Sequence, residues 1–271
     1  MSKIKVLKEF MSNPKEVITL GYQAIAKKKN EINFEKRVHE KYKMAQLPTI
    51  DLLDLVPGLH DTISSYSFLT GTSMVTDILL LKSLAKKFDG CSYLEIGSFR
   101  GESIANVADV AKECISVTLS EQEMRELNMP DGFIKAHGIF SKGKSNIISH
   151  LHNSLTFDFG SLNKKFDLIF VDGDHAHDSV VKDTQNVFKL LKNDDSIIVW
   201  HDYGFDPETV RHEVMSAILE GTPKEYHGHL YHVSNTMCAI FIRGKFATSF
   251  TKFPTYPNKA FRVTVEAKKL Q

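Results

Sequence analysis

Apolar residues change their spacing along this chain. From Pro14 to about Met44, the residues Val17, Ile18, Leu20, Tyr22, Ile25 and Ala26 recur at roughly helical intervals behind an Asn13-Pro14 cap and first-turn pair, so a helix is predicted. Between Leu47 and Gly71 the pattern is interrupted by Pro48, Pro57, Gly58 and Gly71 and reads as short helices and loop. Another helix, about Ser73 to Lys87, ends at Asp89-Gly90. Strand and helix then alternate: Ser92–Ile96, a helix over Ser103–Ala111, Ile115–Leu119 and, after weaker elements, Phe166–Val171. A helix from about Ser179 to Leu191, the strand Ser196–Trp200 and a helix near Glu208–Leu219 come next. Tyr226–Val233 and Met237–Arg243 close the series as an antiparallel hairpin.

The inner runs are apolar on both faces, as parallel strands between two helix layers must be. The expected fold is α/β, a Rossmann-like doubly wound seven-stranded mixed sheet with a helical N-terminal extension. Residues 1–72 read as the extension, 73–243 as the main domain and 244–271 as a tail. A length of 271 residues with 42% hydrophobic side chains suffices for one full core.

Net charge is +1, yet residues 1–50 hold 11 Lys/Arg against 5 Asp/Glu and residues 243–271 hold 7 against 1, leaving an acidic centre. That balance disfavours a nucleic-acid groove across the central domain. Cys91, Cys114 and Cys238 are odd in number and set in apolar runs, which fits reduced thiols and a cytoplasmic setting. Met1–Lys5 open no uninterrupted apolar segment, and no run approaches a bilayer span, so no membrane role is expected. The N-terminal stripe suits packing within the chain or a homo-oligomer.

Candidate chemistry sits at the ends of strands. Tyr93-Leu94-Glu95-Ile96-Gly97-Ser98-Phe99-Arg100-Gly101-Glu102-Ser103 runs from a strand through a two-glycine turn into a helix. Gly97 permits a tight turn and Gly101 a close approach of backbone to ligand. The spacing is neither G-x-G-x-x-G nor a loop ending in G-K-[ST], which directs the reading to S-adenosylmethionine before nicotinamide or ATP. Downstream, Val171-Asp172-Gly173-Asp174-His175 and Trp200-His201-Asp202-Tyr203 end two further strands on the same sheet edge. Asp172, His201 and Asp202 offer two hard oxygens and a nitrogen, a set for Mg²⁺ or Mn²⁺, while His175 is placed to act as general base. Asp174 suits a helix cap, His177 an exposed position, and Trp200 the core. His227, His229 and His232 alternate along the predicted last hairpin; metal binding there has little support.

These blocks resemble the class I S-adenosylmethionine-dependent methyltransferases, most closely the group of macrocin-type sugar O-methyltransferases, and are also similar to catechol O-methyltransferase. The resemblance covers about residues 73–243. It implies a divalent cation on Asp172, His201 and Asp202, with the catalytic histidine at His175. It also implies a cofactor bordered by Glu95, Ile96, Gly97, Ser98, Gly101 and Asp172, with Ser103 bonding its carboxylate. The strand-end acid that grips the ribose in such enzymes is replaced by Thr118-Leu119-Ser120, leaving Thr118 and Glu121 as its substitutes, and Asn153-Ser154 stands at the adenine edge. The resemblance usually has a carboxylate where His201 stands. The expected activity is methyl transfer to a hydroxyl of a small molecule such as a sugar or glycosylated metabolite. A catalytically degenerate binding or scaffold protein of this fold is the alternative, and a nicotinamide oxidoreductase is disfavoured by the glycine spacing.

Overall fold

A computed structural model describes residues 13–270, without the side chains of residues 14–17. Met1–Lys5 and the Val17 side chain therefore lie outside the described residues. The centre is built from short apolar runs: Ser92–Ile96 (β2), Glu113–Thr118 (β3), Leu168–Val171 (β5) and Ile197–Trp200 (β6), nearly all buried. Alternation of side chains gives the sheet two cores. Leu94, Ile96, Val171 and Trp200 face one helix layer, while Tyr93, Phe170 and Val199 face the other. The first layer contains His177–Phe188 (α7) and His212–Gly221 (α8); the second contains Val75–Ala85 (α3) and Glu102–Val107 (α4).

With Ile147–Leu151 (β4), Leu230–Val233 (β9) and Ala239–Phe241 (β10), the order is β9-β10-β6-β5-β2-β3-β4. Neighbours from β4 to β6 are parallel, and β10 runs antiparallel to both β6 and β9. The chain leaves β2 toward β3 and returns on its other side as β5, so the topological switch lies between β2 and β5. Two short strands extend this seven-stranded centre among the described residues: Thr49–Ile50 (β1) pairs parallel with β9, and Thr248–Ser249 (β11) pairs antiparallel with β1. The extension and the tail thus join the sheet, through segments too short to show alternation in sequence. Leu52–Leu55 (α2), capped by Asp51, follows β1, and Asp131–Ala136 (α6) precedes β4.

The predicted N-terminal helix is Pro14–Tyr42 (α1). Its second half docks on α7 and α8 through buried Val38, stacking of Phe34 on His177, and pairs of Glu31 with His212 and Arg37 with Glu220. Ile18, Tyr22 and Ile25 in the first half remain exposed. This docking corrects the expectation for His177, which is buried because α1 covers it. The helix expected from Glu208 begins instead at His212. Before it, Gly204–Asp206 (β7) and Thr209–Val210 (β8) form a small hairpin, turned where Asp206 accepts from the Glu208 and Thr209 N–H groups, both at 2.8 Å. Likewise Lys224–His229 is a 3₁₀ turn, so His227 and His229 share no strand face. His232 is buried, with Nδ1 against Thr49 Oγ1 and Nε2 against the Thr236 carbonyl.

Candidate active site

Sheet register assembles the site. Ile96 lies opposite Val171, and Val171 opposite Trp200, so the next residues, Gly97, Asp172 and His201, leave the sheet in one row. Backbone bonds fasten that row: Gly97 N–H to the Val117 carbonyl (2.9 Å), Asp172 N–H to Ile96 (2.8 Å) and His201 N–H to Val171 (3.0 Å). Gly97 has φ +82°, and a Cβ there would lie 2.1 Å from the Asp172 carbonyl oxygen. The glycine is demanded by contact between two strand tips. At Gly101, also at φ +82°, a Cβ would meet Ser141 Oγ at 2.8 Å, because residues 138–141 cross the turn and bond to the carbonyls of Phe99 and Arg100. What approaches both glycines is this chain itself.

Glu95 is wholly buried. Tyr93 Oη donates to it at 2.7 Å and Ser103 Oγ at 2.9 Å, on separate carboxyl oxygens. Burial pushes its pKa up to about 8, against the lowering effect of these two donors, with the nearby charge of Asp172 adding to the rise. Glu95 and Ser103 therefore brace strand β2 against helix α4. Gly97 and Ser98 stay half-exposed at the tip. The N–H groups of Ser98 and Phe99 find no acceptor among the described residues. Beside them, Thr118 Oγ1 donates to the Ser98 carbonyl at 3.3 Å and lies 2.9 Å from His137 Nε2.

Glu121 points outward and pairs with Arg125 at 2.7 Å. The inward acid is Glu123, which caps the helix Glu121–Glu126 (α5) through Ser120 and accepts from the Asn153 N–H at 3.0 Å. It ties the ends of β3 and β4 together. The S-x-x-E capping pattern of Ser120 and Glu123 was its signal in the sequence. Ser154 donates to Asp183 at 3.3 Å, and burial pushes that carboxyl up to about 7.

The acids and imidazoles expected at one crevice do converge. His201 Nδ1 lies 3.2 Å from Asp172 Oδ1 and 3.1 Å from Asp202 Oδ2, and the ligand atoms of these three residues all fall within 4.8 Å of one another. His175 Nε2 lies 3.1 Å from Asp202 Oδ2, on the solvent side, with 43% of its side chain exposed against 7% for His201. Asp202 adopts φ +54°, a left-handed conformation rare outside glycine, and such strain persists where the surroundings over-determine it. Burial alone would raise Asp202 and lower His201. Instead the hydrogen bonds and charges between them, with Asp172 and Asp77 on the imidazole and His175 and Arg211 on the carboxylate, hold His201 well above its usual range and Asp202 below.

Asp77, 124 residues earlier, was not visible as a site residue in the sequence; it meets His201 Nε2 at 3.1 Å. Asp174 accepts from Ser179 Oγ at 2.7 Å and from the Ala176 N–H near the start of α7, and Trp200 is core, donating to Thr184 Oγ1 at 2.9 Å. A hollow of about 800 Å³ lies elsewhere, lined by Phe157, Asp158, Lys182, Asn186 and Lys189. No acid-imidazole cluster faces it, so the chemistry is assigned to the strand tips.

Residues 94–203 match a family model described as a methyltransferase domain, a span from β2 to just past β6 that contains every strand tip described above. Similar solved structures include the O-methyltransferase of Bacillus cereus in complex with S-adenosylhomocysteine, at 14% identity over 65% of this chain and 84% of that one, TM-score 0.42. Another is the O-methyltransferase TomG of Streptomyces achromogenes in complex with S-adenosylmethionine, at 15% identity over 77% and 87%, TM-score 0.41. No curated protein matches the chain. Both solved structures are distant, and the fold assignment stands on the strand order itself. Residues 94–203 are thus similar to a methyltransferase domain, and the strand order around them is that of a doubly wound α/β sheet closed by an antiparallel strand. Among the described residues no helix is long and apolar enough to cross a membrane, and all three cysteines are free and buried.

Proposed function

We propose that this protein is an S-adenosylmethionine-dependent O-methyltransferase, assisted by a divalent cation, that methylates a hydroxyl of a small molecule such as a sugar or glycosylated metabolite. One observation carries the reading: register places the Gly97 turn in a row with Asp172 and His201, and His175 stands on the open side of that row. The unpaired N–H groups of Ser98 and Phe99 at a half-exposed lip suit the carboxylate of the cofactor. Thr118, beside Ser98, would serve the ribose, and Asn153 and Ser154 the adenine.

Asp172, His201 and Asp202 fit Mg²⁺ or Mn²⁺, since two carboxylate oxygens and one imidazole nitrogen already converge. Such a cation supplies Lewis acidity that favours the deprotonated form of an acceptor hydroxyl. His175 takes that hydroxyl's proton at a ring nitrogen, and Asp202, 3.1 Å from Nε2, orients the ring. The two strand tips would place an acceptor oxygen beside the methyl group that the cofactor's sulfonium would supply. Exposed Ile18, Tyr22 and Ile25 on α1 support a homo-oligomer through the N-terminal helices.

The committed bonds of His201 favour a second reading, a binding protein of this fold with a closed cation site. Transfer of labelled methyl from S-adenosylmethionine to a panel of hydroxyl compounds, with and without chelator, separates the two. Transfer that chelator suppresses is expected. Cofactor binding with no transfer and no response to Mg²⁺ would favour the binding protein.

A further inference from the structure

Asp77 is the third residue of α3 and is wholly buried. Backbone donors from two distant segments fix its carboxylate: the Met74 N–H at 2.7 Å on Oδ2 and the Met237 N–H at 2.9 Å on Oδ1. His201 Nε2 approaches Oδ2 at 3.1 Å, and Cys238 Sγ approaches Oδ1 at 3.6 Å. A carboxylate held by two N–H donors acts as an acceptor, so the nitrogen facing it carries a proton. The other ring nitrogen faces Asp172 and Asp202.

An imidazole flanked by two carboxylates on Nδ1 and nothing on Nε2 would keep its proton on Nδ1, between those acceptors. That tautomer has no lone pair for a cation. With carboxylates on both nitrogens the ring holds a proton on each while the site is empty, and a cation entering between Asp172 and Asp202 displaces the one on Nδ1, the Nε2 proton staying with Asp77. We infer that Asp77 is a positioning residue: it holds the His201 proton on Nε2 and so presents the Nδ1 lone pair to a divalent cation shared with Asp172 and Asp202. The inference rests on the cation reading of the site. It also gives a physical reason why an imidazole serves where the resembling enzymes have a carboxylate, because only an imidazole needs its tautomer set from behind.

The test is Mn²⁺ affinity by calorimetry on the full chain, with S-adenosylhomocysteine affinity measured alongside. In Asp77→Asn the amide N–H₂ can donate to Nε2 and drive the ring proton to Nδ1. Mn²⁺ affinity should fall about 10–100-fold, the usual effect of losing an outer carboxylate, while S-adenosylhomocysteine affinity holds within about twofold. The same substitution made in a His201→Glu background should leave Mn²⁺ affinity unchanged, since no tautomer remains to be set. Equal losses in both backgrounds would mark Asp77 as merely structural and overturn the assignment. Wild-type protein that binds Mn²⁺ while Asp77→Asn binds it as tightly would overturn it alone; wild-type protein that binds no Mn²⁺ would overturn the cation reading as well. If Asp77→Asn does not fold, ¹⁵N shifts of His201 in Mg²⁺-loaded wild-type protein decide. Protonated Nε2 with an unprotonated, cation-bound Nδ1 is expected, and protonated Nδ1 refutes.

Discussion

Replacing Gly97 with alanine tests the contact on which the site is built. The new Cβ would lie 2.1 Å from the Asp172 carbonyl oxygen and 2.6 Å from Gly173 Cα, so about 1.3 Å of separation must be found before ordinary contact distance is reached. Neither side yields easily, because Asp172 N–H is bonded to the Ile96 carbonyl and Gly97 N–H to Val117. Two effects add: a left-handed residue with a Cβ, about 1–2 kcal/mol, and overpacking against backbone, about 1–3 kcal/mol. A loss of about 2–5 kcal/mol corresponds to a fall in Tm of roughly 5–15 °C for a chain of this size. Gly143→Ala is the control, since Gly143 has φ +84° but open space where its Cβ would stand. It should lose only the conformational part, roughly 2–5 °C. Thermal unfolding of both variants by circular dichroism measures the difference. Equal losses would mean that the strand tips are not in contact and would remove the physical basis for a shared crevice.

Stability should also depend on pH in a particular sense. The Glu95 carboxyl, raised to about 8 from 4.5, stabilises the fold in full below about 4.5 and loses that contribution as pH rises through about 8; Asp183, raised to about 7, and His201, raised above 6.5, act in the same direction. Glu95→Gln should therefore flatten the decline between pH 5 and 8 by up to about 1.4 kcal/mol per pH unit, read from urea midpoints, and an unchanged slope would show that Glu95 is ionised in the fold. His175→Ala should lower kcat by about 10²–10⁴-fold with Mn²⁺ and S-adenosylhomocysteine affinities held, and undiminished turnover would remove His175 as the base.

Much of the fold was legible because its central strands are short, largely apolar runs, three of them followed by glycine, aspartate or histidine. Ser92–Ile96 has the expected bounds, and the strands expected over Phe166–Val171 and Ser196–Trp200 end where expected but begin at Leu168 and Ile197. Strands β1 and β11 span two residues each, too few for any period. Burial of His177 depends on α1, more than a hundred residues earlier in the chain, and no local pattern records it. For the same reason Asp77 looked like an ordinary acid in the first turn of a helix. Glu95 was legible in hindsight: it shares a strand face with Tyr93, two residues away, so its partner lay beside it in the sequence. Its burial and its bond to Ser103 depend on the docking of α4, which the strand alone does not record.

The central claim is that one row of strand tips seats both cofactor and cation. Calorimetric titration of S-adenosylhomocysteine into the wild-type chain and into Asp172→Asn, each with and without Mn²⁺, tests it most directly. One site per chain for the nucleoside in both proteins, with Mn²⁺ bound by the wild type alone, is the predicted result. Failure of S-adenosylhomocysteine to bind the wild-type chain, with Mn²⁺ present or absent, would contradict it.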